Sequence, residues 1–145
     1  MITDKLLTVS DAQAVTSSAV STDVIDLGVA RDIGAGFPVK MYFNVTEAVT
    51  ASGAATVEFQ VIGSAAAAMS SPVVLGSSGA IGKAALVAGK TLEVEINSQL
   101  QSAGLRYVSA YYSVATGPLT AGKFSAGIVL NVQDFKVYPI GSVVL

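Results

Sequence analysis

The sequence predicts an all-β protein, a jelly-roll-like antiparallel β sandwich of about eight strands with an extended N-terminal arm. Three observations predict it. Apolar and polar residues alternate with period two in five separate runs, while helical periodicity is weak throughout. The runs are separated by Gly-, Ser- and Pro-containing joints. The chain is 52% hydrophobic and only 12% charged, with no His, Cys or Trp among its 145 residues. That length suits one domain with a core of its own.

Residues 1–21 read differently from the rest. Thr8 to Ser21 is mostly Ser, Thr, Ala, Val, Gln and Asp without a clear period, which predicts an arm ahead of a single sandwich domain over 22–145. Asp23–Leu27 fits a weak strand. Gly34-Ala-Gly36-Phe-Pro38 is a turn before the first strong run, where Val39, Met41, Phe43 and Val45 alternate with Lys40, Tyr42 and Asn44. Ala51-Ser-Gly53 precedes the next, Val57, Phe59 and Val61 around Glu58 and Gln60. Residues 64–72 have room for one helical turn, too short to stand alone. Val73–Ser77 fits a weak strand.

Leu92, Val94 and Ile96 then alternate with Glu93 and Glu95, and Val108, Ala110, Tyr112 and Val114 with Ser109, Tyr111 and Ser113. Phe124, Ala126, Ile128 and Leu130 form the last strong run. Gly117-Pro118 and Gly122 between these two predict a hairpin with a broad loop. Lys136–Ile140 fits a further weak strand. Each strong run has one apolar face, as antiparallel sheets around a shared core require.

Composition excludes several functions. Without His or Cys the chain lacks the usual general base and the readiest nucleophile, so no catalytic residues are expected. Cys-based zinc sites and disulfides are impossible. No cofactor or metal is expected. Net charge is −2 and the eight Lys and Arg are scattered, so no nucleic-acid partner is expected. The N-terminus lacks the basic and apolar regions of a signal peptide, and no apolar run is long enough to span a membrane.

The low charge has a consequence. A 14.6 kDa monomer exposes on the order of 7,000 Å², so 18 charged side chains leave roughly one per 390 Å², about half the usual density. Such a surface is sticky unless part of it is covered. An oligomer, or attachment to a larger body, is expected. The apolar residues at the two ends are the candidate interface: Ile2, Leu6, Leu7 and Val9, and Val143, Val144 and Leu145. Two readings of the first segment stay open. It is a clamp that docks on a neighbour, or the first strand of its own domain.

Other candidate sites have bland alternatives. Gly34-Ala-Gly36 lacks the spacing and the helix of a phosphate loop, and reads as a turn. Asp23, Asp26 and Asp32 match no calcium-loop spacing, and read as solvated carboxylates. Glu93 and Glu95 lie about 7 Å apart on one strand face. They sit on its polar side, where pairing with Arg106 or Lys90 would account for them. Tyr107, Tyr111 and Tyr112 with Arg106 suggest a sugar-stacking platform, weakened by the lack of Trp. The alternative puts Tyr112 in the core and Tyr107 and Tyr111 on the other sheet face or in an oligomer seam. Asn44-Val45-Thr46 is a formal sequon, with Asn44 expected on a solvent face.

Several strings together carry a resemblance. They are Val9–Ala14, Ser21–Gly28, Ala30–Gly36, Gly53–Val57, and Leu105–Val108 followed by Tyr112. Arg31-Asp-Ile-Gly-Ala-Gly36 is the most specific, and Arg106-Tyr107 the next. In order and spacing they resemble the capsid cement, or decoration, proteins of tailed bacteriophages of the Bordetella-phage Bbp16 type, over nearly the whole chain. The resemblance implies a jelly-roll protein on the exterior of the capsid, made in the bacterial host cytoplasm. It implies a structural virion protein that bridges neighbouring major capsid proteins. It implies self-association, as a homodimer first and a trimer second. A carbohydrate-binding sandwich module of a phage tail or adhesin is the competing expectation.

Overall fold

The computed structural model describes residues 3–132. Nine strands follow in order among these residues: β1 (Thr8–Ala14), β2 (Ala19–Val20), β3 (Ile25–Asp26), β4 (Lys40–Thr50), β5 (Thr56–Ser64), β6 (Val73–Gly82), β7 (Thr91–Glu95), β8 (Tyr107–Ala115) and β9 (Ala121–Val129). Two short 3-10 turns, Lys5–Leu7 and Lys83–Ala85, are the only helical elements among them. Asp4 caps the first through a 2.9 Å bond from the Leu6 N–H to its carboxylate.

All pairings are antiparallel. One sheet, A, has the order β1-β9-β4-β7; the other, B, has the order β2-β8-β5-β6. β3 also pairs with β8, so β2 and β3 together form one interrupted edge strand. Apart from the β5–β6 hairpin and that interruption, every connection passes from one sheet to the other. This is a jelly roll.

The alternating runs supply its interior. Met41, Phe43 and Val45 from β4 meet Val57, Phe59 and Val61 from β5, with Val108, Ala110 and Tyr112 from β8 and Phe124 and Ala126 from β9. Four aromatic rings form the centre. Phe59 lies 5.1 Å from Phe124 edge-on, and Tyr112 stacks on Phe124 at 5.1 Å. Phe43 lies 5.2 Å from Phe59. Such contacts add to the burial energy of the rings themselves.

Three expectations need correction. The segment expected to be an arm is part of the sandwich from Thr8 onward. β1 pairs with β9 from Thr8↔Gly127 to Ala14↔Lys123, and Val9 is completely buried. The reading of the first segment as a strand of its own domain is the one the structure shows for Thr8–Ala14. It escaped the period-two search for two reasons. The register slips on both sides of Ser10, with Ala12 at φ 47°, and the buried Ser10 is polar. Ser10 is accommodated because its Oγ accepts from the Tyr112 hydroxyl at 2.8 Å and donates to Gln13 Oε1 at 2.8 Å.

Next, β8 and β9 are not a hairpin. They lie in different sheets, and the loop between them crosses one end of the sandwich. Leu119 plugs that end, 3% exposed, while its N–H donates to Thr16 C=O at 2.8 Å and Thr120 N–H donates to Thr50 C=O at 2.8 Å. Finally, residues 64–72 hold a turn rather than a helical turn, closed by the Met69 N–H on Ala66 C=O at 3.0 Å. The weak strand expected at Lys136–Ile140 lies outside the described residues.

Both pairs of facing sheet edges are stitched together. At β6 and β7, Asn97 N–H donates to Leu75 C=O at 2.9 Å. The fit there requires Gly76, because a Cβ would stand 2.2 Å from the Glu95 carbonyl oxygen. At β1 and β2, Asp23 N–H donates to Val9 C=O at 2.9 Å and Gln13 Nε2 donates to Val20 C=O at 2.9 Å.

Candidate functional site

The candidate sites of this molecule are its two outer sheet faces and the corner that joins them to the loops. The inward direction of alternate residues decides what each face shows. On sheet A, Met41, Phe43, Val94 and Phe124 point in, so Lys40, Tyr42, Asn44, Glu93 and Ser125 point out. This face is laced with ion pairs: Lys40–Glu93 at 2.6 Å, Lys123–Glu47 at 2.8 Å and, beside β1, Lys5–Asp11 at 2.8 Å. Glu93 therefore pairs with Lys40 across β4 and β7, not with Arg106 or Lys90 as expected. Glu95 is exposed on the same face. Asn44 lies on the outer side of β4, half-buried, with Thr91 Oγ1 donating to its Oδ1 at 3.5 Å.

A shallow cavity of about 300 Å³ lies on this face between Lys5, Thr8, Tyr42 and Ser125. Several of its polar groups already serve the fold. Lys5 holds Asp11, Thr8 Oγ1 donates to Asp4 C=O at 3.1 Å, and Ser125 Oγ accepts the Ala12 N–H at 2.9 Å.

Sheet B shows a different face. Phe59, Val61, Ala110 and Tyr112 point in, so Glu58, Gln60 and Ile62 of β5 point out, beside Tyr107, Ser109, Tyr111 and Ser113 of β8. Val74, Ser77 and Ala80 of β6 continue the rows. Glu58 is the lone charged side chain in the interior of this face, and it accepts a hydrogen bond from the Ser77 hydroxyl. That bond, with one from Gln60, holds the Glu58 carboxyl below the usual range. Tyr112 is in the core and Tyr107 and Tyr111 are half-buried on the outside, as one of the two sequence readings placed them.

The corner of sheet B carries the most specific pairing. Arg106 grips Asp26 with both prongs, Nε to Oδ1 at 2.6 Å and Nη2 to Oδ2 at 2.7 Å. Gly28 N–H adds a third bond to Asp26 Oδ1 at 2.7 Å. The guanidinium bonds first, then that N–H, hold the Asp26 carboxyl at about 2. Arg106 also lies over the Tyr107 ring at 5.1 Å, so that ring is not a free stacking platform. Asp32 works elsewhere, accepting the Gln101 N–H at 2.8 Å. Asp26 and Asp32 thus brace separate segments, while Asp23 is held through its backbone. Among the described residues no three acidic side chains converge as metal ligands would. Gly34 and Gly36 sit in a turn with φ of 69° and 82°.

Of the apolar end residues, Leu6 is 87% exposed at the tip of the first turn. Leu7 is half-buried, with its carbonyl against Gly127. Val9 belongs to the core and leaves the candidate interface, because its side chain has no surface to offer. Ile2, Val143, Val144 and Leu145 lie outside the described residues. Sequence reading missed Phe37, Val73, Val74 and Val87, exposed by 47–63%. Nothing in their local pattern distinguishes them from core residues.

A family model described as Bbp16 matches residues 9–128, from the first core residue of β1 to Ile128 in β9. The chain belongs to the Bbp16 family. The two most specific segments of the resemblance, Arg31–Gly36 and Arg106–Tyr107, fall within the match. The Bbp16 match also takes in Asp26 and Arg106, which the fold joins across 80 residues of sequence. Among solved structures, a chain from the capsid of Ralstonia phage GP4 is similar at 23% identity over 81% of each chain, with a TM-score of 0.38. No curated protein matches.

Proposed function

We propose that this chain is a structural protein of a phage virion. It sits on the exterior of the icosahedral capsid and cements neighbouring major capsid proteins. The observation that carries the reading is the Bbp16 match across the entire jelly roll. The surface is consistent with it. Lys5, Thr8, Asp11 and Ser125 of the cavity on sheet A are already engaged within the fold, whereas large apolar side chains such as Leu6 and Phe37 stand out in solvent. The protein associates with itself as well, and it catalyses nothing.

The test is binding to purified phage heads that lack the protein. Cosedimentation at saturable stoichiometry, with heads that then withstand more heat or osmotic shock, is the expected result. Leu6→Ser should weaken that binding without lowering the melting temperature, because Leu6 lies outside the core. No cosedimentation, or a specific glycan-array signal in its place, overturns the reading.

A further inference from the structure

We propose that the outer edge of β7 is a docking site for the segment that follows β9 in this same chain. Residues 136–138 (Lys-Val-Tyr) add there, antiparallel to residues 91–93, as a further strand of sheet A. The proposal is independent of the virion reading.

β7 is the last strand of sheet A, and among the described residues it is paired on its β4 side. Two bonds bracket that ladder: Val45 N–H to Lys90 C=O at 2.8 Å, and Ile96 N–H to Val39 C=O at 3.0 Å. Backbone groups alternate in direction along an antiparallel strand, so Lys90, Leu92, Val94 and Ile96 turn theirs to β4. Thr91, Glu93 and Glu95 turn theirs to the outer edge. β6 covers one end of that edge, where Gly76 lies against the Glu95 carbonyl and Asn97 N–H bonds Leu75 C=O. The N–H and C=O of Thr91 and Glu93 have no backbone partner among the described residues. An open stretch of this kind is a template for one more strand.

Position, direction and sequence choose the occupant. A cavity of about 520 Å³ is lined by Thr91, Leu92 and Glu93 together with Asn131 and Val132, so the residues after β9 already border this edge. β7 and β9 both run antiparallel to β4, so a chain that turns back after β9 runs antiparallel to β7. With Lys136 opposite Glu93, Val137 falls beside Leu92 and Tyr138 beside Thr91. Leu92 packs against the core yet is only half-buried, and Val137 closes over it. Lys136 falls on the outer face, where Lys40 pairs with Glu93 and leaves Glu95 exposed, so it supplies a second cation to two carboxylates. Pro139 comes next. Its missing N–H falls on the side turned away from β7, where a strand tolerates it. The added strand removes an open edge through which sheet A could pair with other chains.

Hydrogen exchange by NMR on the full chain is the test. The Thr91 and Glu93 amides should exchange at least about a hundredfold more slowly than open amides, and should lose that protection in a chain that stops at Val132. The Leu92 and Val94 amides, bonded to β4, should stay protected in both and report that the shortened chain is folded. A second variant does not depend on shortening. The chain has no Cys, so Leu92→Cys with Val137→Cys places two thiols on a non-hydrogen-bonded pair, about 4.5 Å apart at Cα and within disulfide range. Mild oxidation should close the bridge within one chain, whereas Leu92→Cys with Ser142→Cys should stay reduced. Unprotected Thr91 and Glu93 amides in the full chain overturn the proposal, as does protection that survives shortening or a thiol pair that does not bridge. A bridge that forms only between chains assigns the edge to a second copy and overturns it equally.

Discussion

The contact between Ser10 and Tyr112 tests whether β1 is a strand of this domain or a detachable clamp. The two residues are 102 apart in sequence and both are fully buried. Ser10→Ala removes the acceptor at 2.8 Å and leaves the Tyr112 hydroxyl buried without a partner. An orphaned buried donor costs about 1–3 kcal/mol. Tyr112→Phe is gentler. It deletes the donor, while Ser10 Oγ still donates to Gln13, so the loss is about 0.5–1.5 kcal/mol. The double variant leaves neither group stranded and should cost less than the sum. A coupling of about 0.5–3 kcal/mol is expected for residues in direct contact. In a domain near this size, 1 kcal/mol moves the melting temperature by about 2–4 °C, so Ser10→Ala should lower it by about 2–12 °C. Urea titrations of the four proteins supply the cycle. If Ser10→Ala is silent, or the two changes add without coupling, β1 is not locked into the core and the clamp reading returns. Burial also raises the Tyr112 phenol above its ordinary value, against the opposing Ser10 bond. The neutral form is the one the fold stabilises. That stability is fully present below the unfolded phenol's pKa of about 10 and is lost as pH rises beyond it. Tyr112→Phe should abolish this part of the alkaline loss.

Other outcomes follow from single contacts. The Asp26 carboxyl is lowered to about 2, so its contribution is present above the unfolded value near 3.9 and is lost as pH falls through about 2. Asp26→Asn should flatten that acid limb in a plot of melting temperature against pH, and an unchanged limb would refute the Arg106 assignment. Gly76→Ala drives a methyl into the Glu95 carbonyl oxygen and should destabilise by about 1–3 kcal/mol in urea unfolding. A neutral result would mean that the β6–β7 edges are not closed as described. Glu93→Gln with Glu95→Gln should leave head binding intact in cosedimentation, because Glu93 is taken up by its pair with Lys40 and Glu95 is exposed on the same polar face.

The sequence by itself determined the strands that have two chemically distinct sides. β4, β5, β7, β8 and β9 were legible because core-facing and solvent-facing residues alternate without interruption, and period two is the imprint of a half-buried strand. It also determined the absence of His and Cys chemistry and the low surface charge. Tertiary structure decided the rest. β1 was hidden because Ser10 faces inward, which is tolerable only with Tyr112 waiting across the sandwich to bond it. The β8–β9 connection was misread because a Gly-Pro loop looks the same whether it turns back within a sheet or steps over to the other one. Pairing is settled by which faces must be buried together, and that is a property of all the strands at once. For the same reason Glu93 found Lys40 and Asp26 found Arg106. Strand registers far apart in sequence set their distances. The outer face of sheet B, with Glu58 as the lone charge in its interior, emerged only when β2, β5, β6 and β8 were laid side by side, since each strand alone shows merely an ordinary polar edge.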